Sequence, residues 1–148
     1  MPASVTREAF VGTWSLTDYL LIRADGVIRK PWGEDVSGLL IYSPEGYMSA
    51  NLMPAVHKDG VQAKAAPAPP AKSHRSSRHI AYAGRYTLEN DSITHHVEVS
   101  LFPSWIGLPQ VRFYEIASDR LVLRTPPIPR SGKHLVGELT WKRICSFT

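Results

Sequence analysis

The sequence has a single cysteine, Cys145, in 148 residues, so no intrachain disulfide can staple the fold. No run approaches the 18 or more consecutive apolar residues of a membrane-spanning helix, and no membrane association is expected. Met1 to Phe10 lacks the basic-then-apolar layout of a signal peptide, which points to a cytoplasmic protein. The chain contains no G-x-G-x-x-G, P-loop, G-x-S-x-G or H-E-x-x-H, so nucleotide-driven, serine-hydrolase and zincin chemistries lack their carriers and no cofactor is expected. What is present suits one ordinary globular domain spanning residues 1–148, with 43% hydrophobic and 20% charged residues. A chain of about 150 residues buries roughly 70% of its unfolded surface, enough to dispense with a structural metal.

The net charge of +4 resides in one place. Between Pro54 and Arg78, Lys58, Lys64, Lys72, Arg75 and Arg78 face Asp59 alone, and the rest of the chain is neutral. That segment is Ala/Pro-rich and has no apolar periodicity, so it reads as a flexible loop, either a solvated connection or a lid, and not as a nucleic-acid surface. Elsewhere, after a short helical segment at Thr6 to Phe10, period-two patterning predicts strands at Trp14–Ile22, Val27–Trp32, Gly38–Ser43 and Tyr47–Met53. Beyond the loop it predicts Ile80–Leu88, Ile93–Leu101, Gln110–Ile116, Leu121–Thr125 and Leu135–Arg143. The stretch Thr125 to Pro129 reads as a rigid loop at a barrel end. Eight or nine consecutive antiparallel strands hide their edges most easily by closing into an up-and-down barrel, an all-β fold able to hold one small ligand.

The tight turn at Glu89 to Ser92 sets a register for its hairpin in which Tyr86 faces His95, Gly84 faces Val97 and Tyr82 faces Val99. The face Ile93, His95, Val97, Val99 and Leu101 is apolar and should point inward with Tyr82 and Tyr86. Arg85 and Glu98 then form an outer charge ladder, which Arg112 joins if Val111 and Phe113 turn inward to the ligand. His95 and His96 point to opposite faces and cannot grip one ion, and His96 with Glu98 lacks a third ligand, so no metal site is expected. An inward imidazole beside a phenol can move protons near neutral pH, which makes His95 and Tyr86 the candidate catalytic pair, the alternative being a core histidine bonded to a tyrosine or backbone oxygen. Tyr42, Tyr47, Ser49 and Asn51 are grouped on one mixed face; if it looks inward, Tyr47 and Asn51 join Tyr82 as ligand contacts. Trp105, in the apolar loop Phe102 to Pro109, can cap the ligand mouth, pack as core, or meet the second subunit of a homodimer.

Gly12-Thr13-Trp14 and Arg143, two residues after Trp141, resemble the lipocalin signature, in which a G-x-W tryptophan closes the barrel floor under a C-terminal arginine. Gly38 to Ala50, Ala81 to Tyr86, Thr94 to Gly107 and Gln110-Val111-Arg112 resemble the bacterial and fungal lipocalin-like domain family over about Phe10 to Arg143. Similar small barrels act as cyclases or isomerases in natural-product pathways. The resemblance therefore implies a cofactor-independent isomerase or cyclase working on a small hydrophobic, polyketide- or terpenoid-like molecule by acid–base transfer. Its alternative is a non-catalytic carrier of such a ligand in the same cavity.

Overall fold

The computed structural model describes residues 5–55, 79–130 and 133–144. From residue 56 the basic segment ending at Arg78 lies outside the described residues, as does Cys145. The described residues form β1 (Gly12–Arg23), β2 (Ile28–Arg29), β3 (Val36–Tyr42), β4 (Tyr47–Pro54), β5 (Ile80–Leu88), β6 (Ser92–Ser100), β7 (Pro109–Ala117), β8 (Arg120–Arg124), β9 (Ile128–Arg130) and β10 (Lys133–Arg143). Among these residues no helix is long and apolar enough to cross a membrane.

Closure follows from the length of β1. Its first residues pair antiparallel with β3, from Gly12 opposite Tyr42 to Ser15 opposite Leu39, while it also runs beside β10 from Trp14–Arg143 to Arg23–Leu135. The order β1-β3-β4-β5-β6-β7-β8-β10 returns to β1, an eight-stranded antiparallel barrel, with β2 and β9 added on β1 and β10. No edge is left in the wall itself, which satisfies the backbone groups that an open meander would expose.

Inward residues of successive strands build one core: Trp14 and Leu16, Leu40 and Tyr42, Met48, Ala50 and Leu52, Ile93 and Val97, Leu121 and Leu123, and Trp141. At the floor the Trp14 indole is fully buried and donates from Nε1 to the Phe10 carbonyl at 2.9 Å. The Arg143 guanidinium lies 4.2 Å from the Trp14 ring centroid and donates to the Val11 carbonyl at 2.9 Å. Gly12 has φ +133°, and a Cβ there would come within 2.9 Å of Arg143 Nη1. The glycine of G-x-W is thus favoured by its backbone, and a larger residue there would also have to shift the Arg143 guanidinium.

Four sequence expectations need correction. Thr6 to Phe10 is not a helix but a single 3-10 turn at Arg7–Ala9, since so few residues cannot offset helix nucleation. Ile128 and Pro129, expected in a loop, belong to an edge strand, Ile128–Arg130, that pairs with Lys133–Leu135, a position where proline is tolerated. In the β5–β6 hairpin Tyr86 faces His95 and Gly84 faces Val97, but a bulge then shifts the register and Tyr82 faces Ser100. Past this bulge the faces exchange, so Val99 and Leu101 point outward, 60% and 46% exposed. Finally, Tyr42 pairs with Met48, not with the face of Tyr47, so Tyr42 is buried with Met48, Ala50 and Leu52 while Tyr47 and Asn51 are outside.

Candidate functional site

The half of the barrel away from the Trp14 floor holds a partly open cavity of about 480 Å³. Its wall is mostly aliphatic and aromatic, including Leu21, Leu52, Leu123, Leu139 and Trp141, and residues 125–129 contribute a proline-rich section. Trp105 reaches it from a 3-10 turn at Pro103–Trp105, packing edge-on to Tyr82 at 5.6 Å between centroids and against Phe102 at 4.9 Å. The polar groups in this wall come mainly from Tyr82, His95, Gln110 and Arg112.

His95 is inward because it follows Ile93 by two residues on β6, and Ile93 is fully buried. Its Nδ1 lies 2.7 Å from the Tyr82 hydroxyl and its Nε2 lies 2.7 Å from the Tyr42 hydroxyl. A neutral imidazole has one N–H and one lone pair, so one phenol accepts from the ring and the other donates to it. Burial pushes the His95 pKa down to about 3, helped by the positive charge of Arg112 and by His96. Burial likewise raises Tyr42 and Tyr82 above the usual phenol range, against a smaller opposing pull from Arg112. At neutral pH all three groups are uncharged and bonded to one another.

Tyr86, paired with His95 in the backbone ladder, instead donates its hydroxyl to the Ser43 carbonyl at 2.8 Å and stacks edge-on with Tyr42 at 4.8 Å. It is buried one layer below the cavity and is not part of the cavity wall. Of the sequence candidates, the structure brings Tyr82, His95 and Trp105 together around the cavity. Tyr47 and Asn51 sit on the outer face, where the Tyr47 hydroxyl accepts from Arg85 Nε at 3.1 Å. Phe113 is 40% exposed and also outside, because it pairs with Ser92 while its neighbour Arg112 pairs with the buried Ile93.

Arg112 is therefore not in the outer ladder, which consists of Arg85 and Glu98 at 3.8 Å; it faces the cavity with Gln110. Alternation from Ile93 could not reveal this, since the β6–β7 connection is too long to set a register. Tyr42 was missed for a different reason. Ser43 N–H donates to the Tyr47 carbonyl at 2.8 Å and Gly46 has φ +100°, a three-residue loop that puts Tyr42 opposite Met48. Pro44-Glu45-Gly46, with glycine at the left-handed position, is the sequence signal for that loop.

The chain is similar to several known proteins. A family model described as a lipocalin-like domain matches residues 11–144. The chain is 37% identical over 79 residues to the 4'-hydroxy-3'-methoxypropiophenone carrier protein of Aspergillus oryzae, covering 47% of this chain and 71% of that protein. A lipocalin-like protein from Bacteroides uniformis superposes with a TM-score of 0.48 at 15% identity, covering 92% of this chain and 99% of the other.

Proposed function

The chain belongs to the lipocalin-like domain family, and on that premise we propose that its barrel is a container for one small, largely apolar molecule, which it carries or sequesters without changing it. The observation that carries this reading is the cavity itself: about 480 Å³ of mostly apolar space, within the range of small-molecule sites. The relative from Aspergillus oryzae is named as the carrier of an aryl ketone, and a molecule of that size suits a space of this volume.

Acid–base catalysis finds less support in the geometry. A general base works best with a pKa near the operating pH and a lone pair within reach of the ligand. His95, at about 3, is far below that range, and both its nitrogens are engaged by tyrosine hydroxyls. Tyr86 is turned to Ser43 and away from the cavity. Tyr82, which does line the cavity, has its hydroxyl tied to His95.

The test is to incubate the protein with 4'-hydroxy-3'-methoxypropiophenone and, separately, with N-phenyl-1-naphthylamine, then to measure retained and converted material by mass spectrometry. Retention of either compound, unchanged and at no more than one per chain, is the expected result. Conversion of the ketone in molar excess over protein would overturn the carrier reading in favour of catalysis.

A further inference from the structure

Among the described residues, the cavity wall contains one formal cation and no carboxylate. Arg112 faces the interior because its backbone partner is Ile93, and Gln110 faces it because its partner is His95. The guanidinium has five N–H donors. Nη1 donates to the Val111 carbonyl at 2.8 Å and Nη2 donates to Gln110 Oε1 at 3.1 Å, both neutral acceptors. None of the ion pairs among the described residues includes Arg112; Arg124 holds both Glu115 and Glu138 on neighbouring strands. Among the described residues, no aspartate or glutamate lines the cavity.

A half-buried guanidinium beside aliphatic walls, braced by a neighbouring side chain but not neutralised, is costly unless something of opposite charge completes it. The guanidinium fork matches the paired or delocalised oxygens of an organic anion and forms shorter, stronger bonds with them than with neutral acceptors. The field of this charge extends across the site, since it acts on Tyr42, Tyr82 and His95. The remaining lining is apolar and supplies the surface for a hydrocarbon or aromatic body.

We infer that Arg112 makes the cavity selective for organic anions: small apolar molecules carrying one ionised oxygen acid, a carboxylate, a sulfonate or an acidic phenol, whose charged oxygens dock on the guanidinium. This rests on the cavity being a ligand site and adds which ligands it prefers.

The test uses two fluorescent probes with one skeleton, 8-anilinonaphthalene-1-sulfonate and its uncharged counterpart N-phenyl-1-naphthylamine. Each is titrated into the full chain, into Arg112→Met and into Arg112→Lys, with circular dichroism to verify the fold. The ratio of neutral to anionic Kd is expected to drop at least tenfold in Arg112→Met and to be largely retained in Arg112→Lys, while the neutral probe alone shifts by less than about twofold, roughly 0.4 kcal/mol. A ratio unchanged in Arg112→Met, with the neutral probe still bound, overturns the charge selectivity and leaves the carrier reading standing. Absence of uptake of either probe by the wild type overturns both.

A second measurement needs no variant: the ionisation of 4-nitrophenol held by the wild-type protein, followed by phenolate absorbance. An apolar cavity alone raises that pKa, whereas a docked guanidinium lowers it. A raised value therefore refutes the inference even if Arg112→Met does not fold.

Discussion

A neutral imidazole bonded at both nitrogens is costly to protonate, because the imidazolium needs two acceptors and must carry its charge in a buried site. His95 has its folded pKa lowered to about 3 against an unfolded value near 6.5. Between these pH values the unfolded chain binds a proton that the folded chain does not, so stability is full above about 6.5 and declines as pH falls toward 3. The decline from pH 7.5 to 5 attributable to this residue is about 2 kcal/mol. His95→Phe leaves the Tyr42 and Tyr82 hydroxyls without their partner, at about 1–3 kcal/mol each. Urea unfolding should show wild type well above His95→Phe at pH 7.5, with that gap narrowed by about 2 kcal/mol at pH 5. An equal gap at both pH values would mean that His95 titrates normally. At this scale the inward direction of His95 was legible from alternation along β6, and that of Tyr82 from the hairpin register, although its expected partner Val99 turned out to lie outside. The inward direction of Arg112 was not, because residue type suggested solvent and only pairing with Ile93 turns it to the cavity.

Within elements, hairpins with short turns were readable and irregularities inside strands were not. The turn after Glu89 put Tyr86 opposite His95, but nothing in Val97-Glu98-Val99 announces an extra residue, since apolar alternation continues through it. The bulge is marked on the partner strand by Gly84, where a Cβ would run into the His96 carbonyl oxygen. Backbone cannot yield as a flexible side chain does, so Gly84→Ala should cost roughly 2–3 kcal/mol in thermal or chemical unfolding. A change under about 0.5 kcal/mol, the level of an ordinary surface substitution, would rule out this close approach. The same bulge places Ser100 opposite Tyr82 and moves Val99 to the outer face, so it decides which side chains of upper β6 can approach the ligand.

At the scale of the whole barrel, function depends on space left unfilled. Ala50 lines the cavity and is buried, so a larger side chain there has the cavity in which to extend. Ala50→Phe should abolish probe uptake while costing no more than about 1–3 kcal/mol, the range for added volume in a core. A ligand at a hundred times its Kd should stabilise the wild type by about 2.7 kcal/mol and Ala50→Phe not at all, read as a shift in Tm. Uptake undiminished in Ala50→Phe would place the ligand elsewhere. The sequence by itself determined the all-β class, nearly every wall strand, and the floor of Trp14 and Arg143. The class and the strands follow from period-two patterning and turn residues, which are local; the floor was legible only through the resemblance of Gly12-Thr13-Trp14 and Arg143 to the lipocalin signature. Tertiary structure alone decided that Tyr42 and Tyr82 hold His95 between them and that Arg112 faces the interior. Those contacts join residues 13 to 53 positions apart, or depend on a register that a bulge and a long connection leave unspecified until the barrel closes.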